Sequence, residues 1–103
     1  MADPMRIRAQ VQGDKAIVRV LMSHEMETGQ RKDSAGKLIP AWHITDVTAS
    51  HNGKQVLTAE WGPAVAKNPF LQFTLKEAKA GDKIGITWKD NRGDTRTDEA
   101  TVS

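Results

Sequence analysis

Apolar and polar residues alternate with a period of two along most of this chain, the spacing of strands that bury one face. Met5, Ile7, Ala9 and Val11 interleave with Arg6, Arg8, Gln10 and Gln12. Gly13-Asp14 predicts a turn. Ala16, Val18, Val20 and Met22 then alternate with Lys15, Ile17, Arg19 and Leu21, giving a second and more buried strand. The two runs read as a hairpin or as neighbours in one sheet. Residues 42–51 are β-like and 54–61 return as their partner. Asn52-Gly53 between them predicts a tight hairpin, because both residues tolerate positive φ. Gly62-Pro63 breaks this run and Pro69 opens the next, in which Leu71, Phe73 and Leu75 share one face. Residues 76–83 form a polar crossover that turns at Ala80-Gly81-Asp82. Ile84, Ile86 and Trp88 make another inward stripe, Asp90-Asn91-Arg92-Gly93 a turn, and residues 96–102 a last strand. No helical stripe interrupts the series. About seven strands with turn signals every eight to twelve residues predict an all-β chain, an immunoglobulin-like β-sandwich of antiparallel strands. Residues 1–103 form one domain on this reading. Phe73, Ile86 and Trp88 are the expected core anchors.

The alternation stops between residues 23 and 41, a stretch rich in Glu, Lys, Gly, Ser and Asp that ends at Pro40. It predicts a loop far longer than the usual 4–6 residues. Such loops inside a compact domain are either functional or disordered, so this is the first place to look for a binding surface.

Composition narrows the function classes. The 103 residues are 38% hydrophobic and 27% charged, as in an ordinary soluble globule. Fifteen Lys and Arg against thirteen Asp and Glu leave a net charge of +2. The longest cationic run is Arg31-Lys32, so nothing along the sequence resembles a phosphate-tracking tract, and no nucleic acid is expected as a partner. No apolar stretch nears the roughly 20 residues of a membrane span. The residues from Met1 to Arg6 lack the charged region and apolar run of a secretory leader. The chain contains no cysteine, which removes disulfides and thiol chemistry without fixing a compartment.

Few residues invite catalysis. Ser23, Ser34, Ser50 and Ser103 lie in no nucleophile elbow. Glu25 and Glu27 flank His24 and Met26 in a polar segment, where solvated carboxylates are poor acids and bases. No residue is assigned a catalytic role, a cofactor or a metal, and the chain is not expected to be an enzyme. One metal alternative remains. Met22, His24 and Met26 sit at alternate positions, and thioether and imidazole are soft ligands that suit copper, although the plainer reading has Met22 ending a core strand and Met26 anchoring the loop. Trp42 and Trp61 could also form an aromatic platform for a sugar. Trp42 more naturally pins the exit of the long loop, and Trp88 is in phase with the core. Phe70 is out of phase with Leu71, Phe73 and Leu75, so it faces outward beside Pro69, which belongs at an edge or a strand start.

Several segments together carry a family resemblance. They are the stretch from Leu21 to Gly29, Arg31-Lys32-Asp33, the stretch from Gly36 to Pro40, Asn52-Gly53-Lys54, Trp61-Gly62, and Asn68-Pro69-Phe70-Leu71. In this order and spacing they resemble the SoxZ family, over nearly the whole chain. One departure is Glu25, where the family commonly has proline. The resemblance implies a β-sandwich subunit that pairs with a SoxY-like protein. That partner bears a cysteine on a flexible glycine-rich arm, and sulfur intermediates of thiosulfate oxidation stay attached there. This subunit would do no chemistry. It would complete the carrier's body and docking surface for other Sox enzymes, and reach the periplasm by co-export with its partner. His24, Met26, Trp61, Asn68, Pro69 and Phe70 are the expected partner-interface residues.

Overall fold

The computed structural model of the chain describes residues 3–62 and 64–103; Met1, Ala2 and Pro63, the last expected to end a strand, lie outside them. The described residues form seven antiparallel strands: β1 (Arg6–Gln12), β2 (Lys15–Leu21), β3 (Ile44–His51), β4 (Lys54–Glu60), β5 (Phe70–Lys76), β6 (Lys83–Asp90) and β7 (Thr95–Thr101). They build a three-stranded sheet in the order β1-β2-β5 and a four-stranded sheet in the order β4-β3-β6-β7. No helix occurs among the described residues.

Local chemistry explains the connections. β1 and β2 are the expected hairpin, in register from Arg6 opposite Leu21 to Gln12 opposite Lys15. Asn52 and Gly53 take φ of 51° and 86°, the conformation that a tight β3–β4 turn demands. β5 crosses from the β3–β4 hairpin to the other sheet and pairs with β2, with Leu21 opposite Phe70. β6 returns to pair with β3, and β7 completes that sheet.

The inward faces meet in one core. Ala16, Val18, Val20 and Met22 on one side face Val47, Ala49, Ile84, Ile86 and Trp88 on the other, all essentially buried. Burying a large aliphatic or aromatic side chain contributes about 1.5–3 kcal/mol, and with no disulfide this packing is the main tie between the sheets. Phe73 departs from the expected anchor role. It is only half-buried, packed against the core rather than within it. The reason is position, since β5 is an edge strand and its inward face is covered from one side. The chain end helps to close the sandwich. Ser103 receives the Val11 amide at 2.9 Å and donates its own to the Ala9 carbonyl at 2.9 Å, joining the end of β7 to β1.

Residues 23–41 are an ordered arm. Glu27 and Trp42 pair through two backbone bonds, and Lys32 pairs with Leu38. Asp33 shapes the tip, its Oδ1 accepting the amides of Ala35 at 2.9 Å and Lys37 at 3.0 Å.

Candidate functional site

The root of this arm and the start of β5 lie side by side, and together they gather most of the residues singled out above. The arm is fastened by a buried polar knot. His24 follows β2 by three residues, and its ring is interior at 6% residue exposure. Its Nδ1 accepts the Met26 amide at 3.0 Å, so the proton sits on Nε2, which donates to Asp90 Oδ2 at 3.0 Å. The Trp42 indole N–H donates to the same oxygen at 2.8 Å. The amides of Arg92 and Asp94 reach Asp90 Oδ1 at 3.0 and 2.9 Å. Burial by itself pushes the Asp90 carboxyl upward. The donors from His24, Trp42, Asp94 and Arg92 outweigh it and hold the group below the usual carboxylate range. The His24 ring also lies against Trp42, with centroids 4.9 Å apart, and edge-on to Trp88 at 5.2 Å. The Arg92 guanidinium sits 4.3 Å from the centre of the Trp42 ring.

This knot leaves the soft donors occupied. His24 has no free ring nitrogen. Met26 is buried at φ 52°, and its sulfur accepts the Ile44 amide at 3.3 Å. Met22 is fully buried in the core. The three candidate copper ligands are therefore all interior, with both His24 ring nitrogens engaged and the two sulfurs packed in the core. Trp42 is likewise committed, as a pin for the arm. Trp61 is half-buried against the core, its amide donating to Thr45 O at 2.8 Å.

Of the six residues expected to meet a partner, three are interior. His24 and Met26 are buried in the knot, and Pro69 is buried with its carbonyl accepting the Met22 amide at 2.9 Å. Their side chains support the surface rather than form it, because each faces the core from a turn or strand end. The other three are accessible. Asn68 takes φ 52° and clasps His24 by two bonds, its amide to the His24 carbonyl at 2.9 Å and its Oδ1 to the His24 amide at 3.1 Å. Phe70 projects outward with 58% of its surface exposed, as its phase predicts. Trp61 is partly open.

Comparison with known families decides the identity. A family model described as "Sulphur oxidation protein SoxZ" matches residues 5–101. The chain belongs to the SoxZ family. It is thus a subunit type of the sulfur-oxidation system, and the resemblance read from its motifs holds over nearly its full length. Comparison with curated proteins returns no match. Within this SoxZ-family fold, sequence reasoning overlooked Asp90 and Leu21. Asp90 sat in an ordinary turn signal, and only its in-phase place after Ile84, Ile86 and Trp88 hinted that it points inward. Leu21 was the one large apolar residue on the polar face of β2 besides Ile17, a signal of the same kind as Phe70.

Proposed function

We propose that this chain is the non-catalytic subunit of a sulfur-carrier heterodimer. It pairs with a SoxY-like protein whose arm cysteine holds covalently bound sulfur intermediates, and it helps present them to thiosulfate-oxidising enzymes that dock transiently. The observation that carries this reading is a family match over residues 5–101 in a chain without a single cysteine. Such a chain has no thiolate, the nucleophile that sulfur attachment requires. In this reading the ordered root of the arm, with Asn68, Phe70 and Trp61 at the surface, forms part of the pairing interface. The pair works in the periplasm, which this subunit reaches by co-export with its partner.

The test is co-expression with a SoxY-like subunit, followed by sizing and intact-mass analysis. The two should co-elute at micromolar concentration. After treatment with tetrathionate, whose central S–S bond is broken by the thiolate with thiosulfate leaving, the added sulfur should map to the partner alone. Separation on the column, or a sulfur adduct on this chain, overturns the proposal.

A further inference from the structure

Register across the three-stranded sheet assembles a surface that the linear sequence scatters. The first row of outward residues is Arg6, Leu21 and Phe70. The next is Arg8, Arg19 and Gln72, and Lys15 and Lys76 share the far end. No residue of β1, β2 or β5 is Asp or Glu, while five are Arg or Lys. Of the fifteen cations and thirteen acids in the chain, five cations and no acid lie on these strands, leaving ten against thirteen elsewhere. A slight overall charge thus hides a strongly one-signed face.

That face also has an apolar centre at one end. Phe70 is 58% and Leu21 42% exposed, and they are cross-strand neighbours. Arg6, Arg8 and Arg19 surround them in a shallow depression of about 180 Å³. Arginine stands next to the apolar pair and lysine at the periphery. This is the order found in protein interfaces, where aromatic residues and arginine are enriched near the centre and lysine is depleted. The depression adjoins another, lined by Asp3, Pro4, Arg6, Leu21, Ser23 and Asn68 among others, so the surface runs on to the arm root, where Asp3 marks the edge of the cationic face. The added area matters, because a stable contact needs about 800 Å² per partner.

We infer that the outer face of the β1–β2–β5 sheet is the docking surface for the thiol-bearing subunit, and that the matching surface of that subunit is an apolar recess rimmed by carboxylates. The inference deepens the pairing reading and rests on it. Charge selects the occupant. A second copy meeting this face through its own would set five cations against five, which repel. A partner supplying Asp or Glu removes that cost and gains charge-assisted bonds to guanidinium. A phosphate backbone has no use for Phe70 and Leu21 in the middle of its track.

The test is binding kinetics between this chain and the immobilised SoxY-like subunit at 50 and 500 mM NaCl. Phe70→Ala should raise the dissociation rate tenfold or more at both salts, as expected for a buried anchor. Arg8→Glu with Arg19→Glu should slow association at least tenfold at 50 mM, with the gap closing at 500 mM as charges are screened. Thr97→Glu, on the opposite sheet, should change neither rate. Pairing of the wild type with both face variants unaffected overturns this inference and leaves the pairing reading intact. Equal loss in Thr97→Glu overturns it too, as does tighter binding to a 20-base-pair DNA duplex than to the subunit, or formation of a homodimer through this face. Failure of the wild-type chains to pair at all overturns both.

Discussion

His24 and Asp90 stand 66 residues apart in sequence and meet inside the fold, Nε2 of the first donating to Oδ2 of the second at 3.0 Å. The contact ties the root of the 23–41 arm to the last residue of β6. Because Asp90 accepts two side-chain and two backbone donors, it anchors both the arm and the β6–β7 turn at once.

Asp90→Asn should therefore be costly although it changes little volume. The amide nitrogen must face donors on one side, leaving buried N–H groups without an acceptor. Each such group costs about 1–3 kcal/mol, so a loss of about 2–4 kcal/mol is expected. For a domain of this size that lowers Tm by on the order of 10–20 °C. Thermal melting checks it, and a Tm within 3 °C of wild type would remove the knot from the list of stabilising features.

Acid should unfold the chain through its carboxylates. Asp82 is held down to about 2 by its bond with His51, with help from the Lys79 amide and Asn52. Asp90 and Asp98 lie below their ordinary range as well, Asp98 chiefly because of Arg96. A carboxyl whose pKa is lower in the folded state binds more protons unfolded, so its contribution is present above the ordinary carboxylate pKa of about 3.9 and disappears as pH falls toward 2. Melting curves from pH 5 to pH 2.5 should show Tm falling throughout. In Asp82→Asn the fall should be shallower. A flat wild-type profile would contradict the assignment.

Phe70 and Phe73 should part ways on truncation. Phe70→Ala should leave the free subunit within about 0.5 kcal/mol of wild type, since the ring is mostly exposed. Phe73→Ala removes a half-buried ring, so it should cost about 1–3 kcal/mol, less than the 3–5 kcal/mol of a fully buried phenylalanine. Denaturant titration of both variants gives the comparison. Equal destabilisation would mean that the outward phase of Phe70 is wrong.

Two glycines of the arm allow a controlled comparison. Gly29 has φ 88°, and a Cβ there would sit 3.1 Å from the Ala41 Cβ. Gly36 has φ 81° and open space around it. Both pay for positive φ when replaced by alanine, of order 1 kcal/mol. Only Gly29→Ala should add a steric cost, felt at the adjoining Glu27–Trp42 pairing. It should melt lower than Gly36→Ala, and the reverse order would show that the arm gives way without cost.

Much of the fold was legible because strand phase is a local property. Val18, Val20, Ile84, Ile86 and Trp88 announce their faces by alternation alone, and Asn52-Gly53 announces its turn. Phe70 was readable for the same reason. Phe73 was overrated because alternation shows which face a residue is on, not whether the strand lies at the edge of its sheet. His24 and Met26 read as interface residues because the segment around them is polar. Their burial depends on Asp90, a long-range partner that no local pattern reveals. The cationic face was hidden differently. Arg6, Arg8 and Arg19 form no run, and only cross-strand register puts them together.

The buried knot has a chemical consequence that bears on the proposed pairing with a sulfur-bearing subunit. Met5, Met22 and Met26 are all interior, the His24 ring has no spare lone pair, and no thiol exists anywhere in the chain. A sulfur electrophile or an oxidant approaching the described surface finds no thiol and no exposed thioether. In the proposed carrier, a scaffold with no accessible sulfur among its described residues offers the partner's reactive group no second sulfur on which to settle.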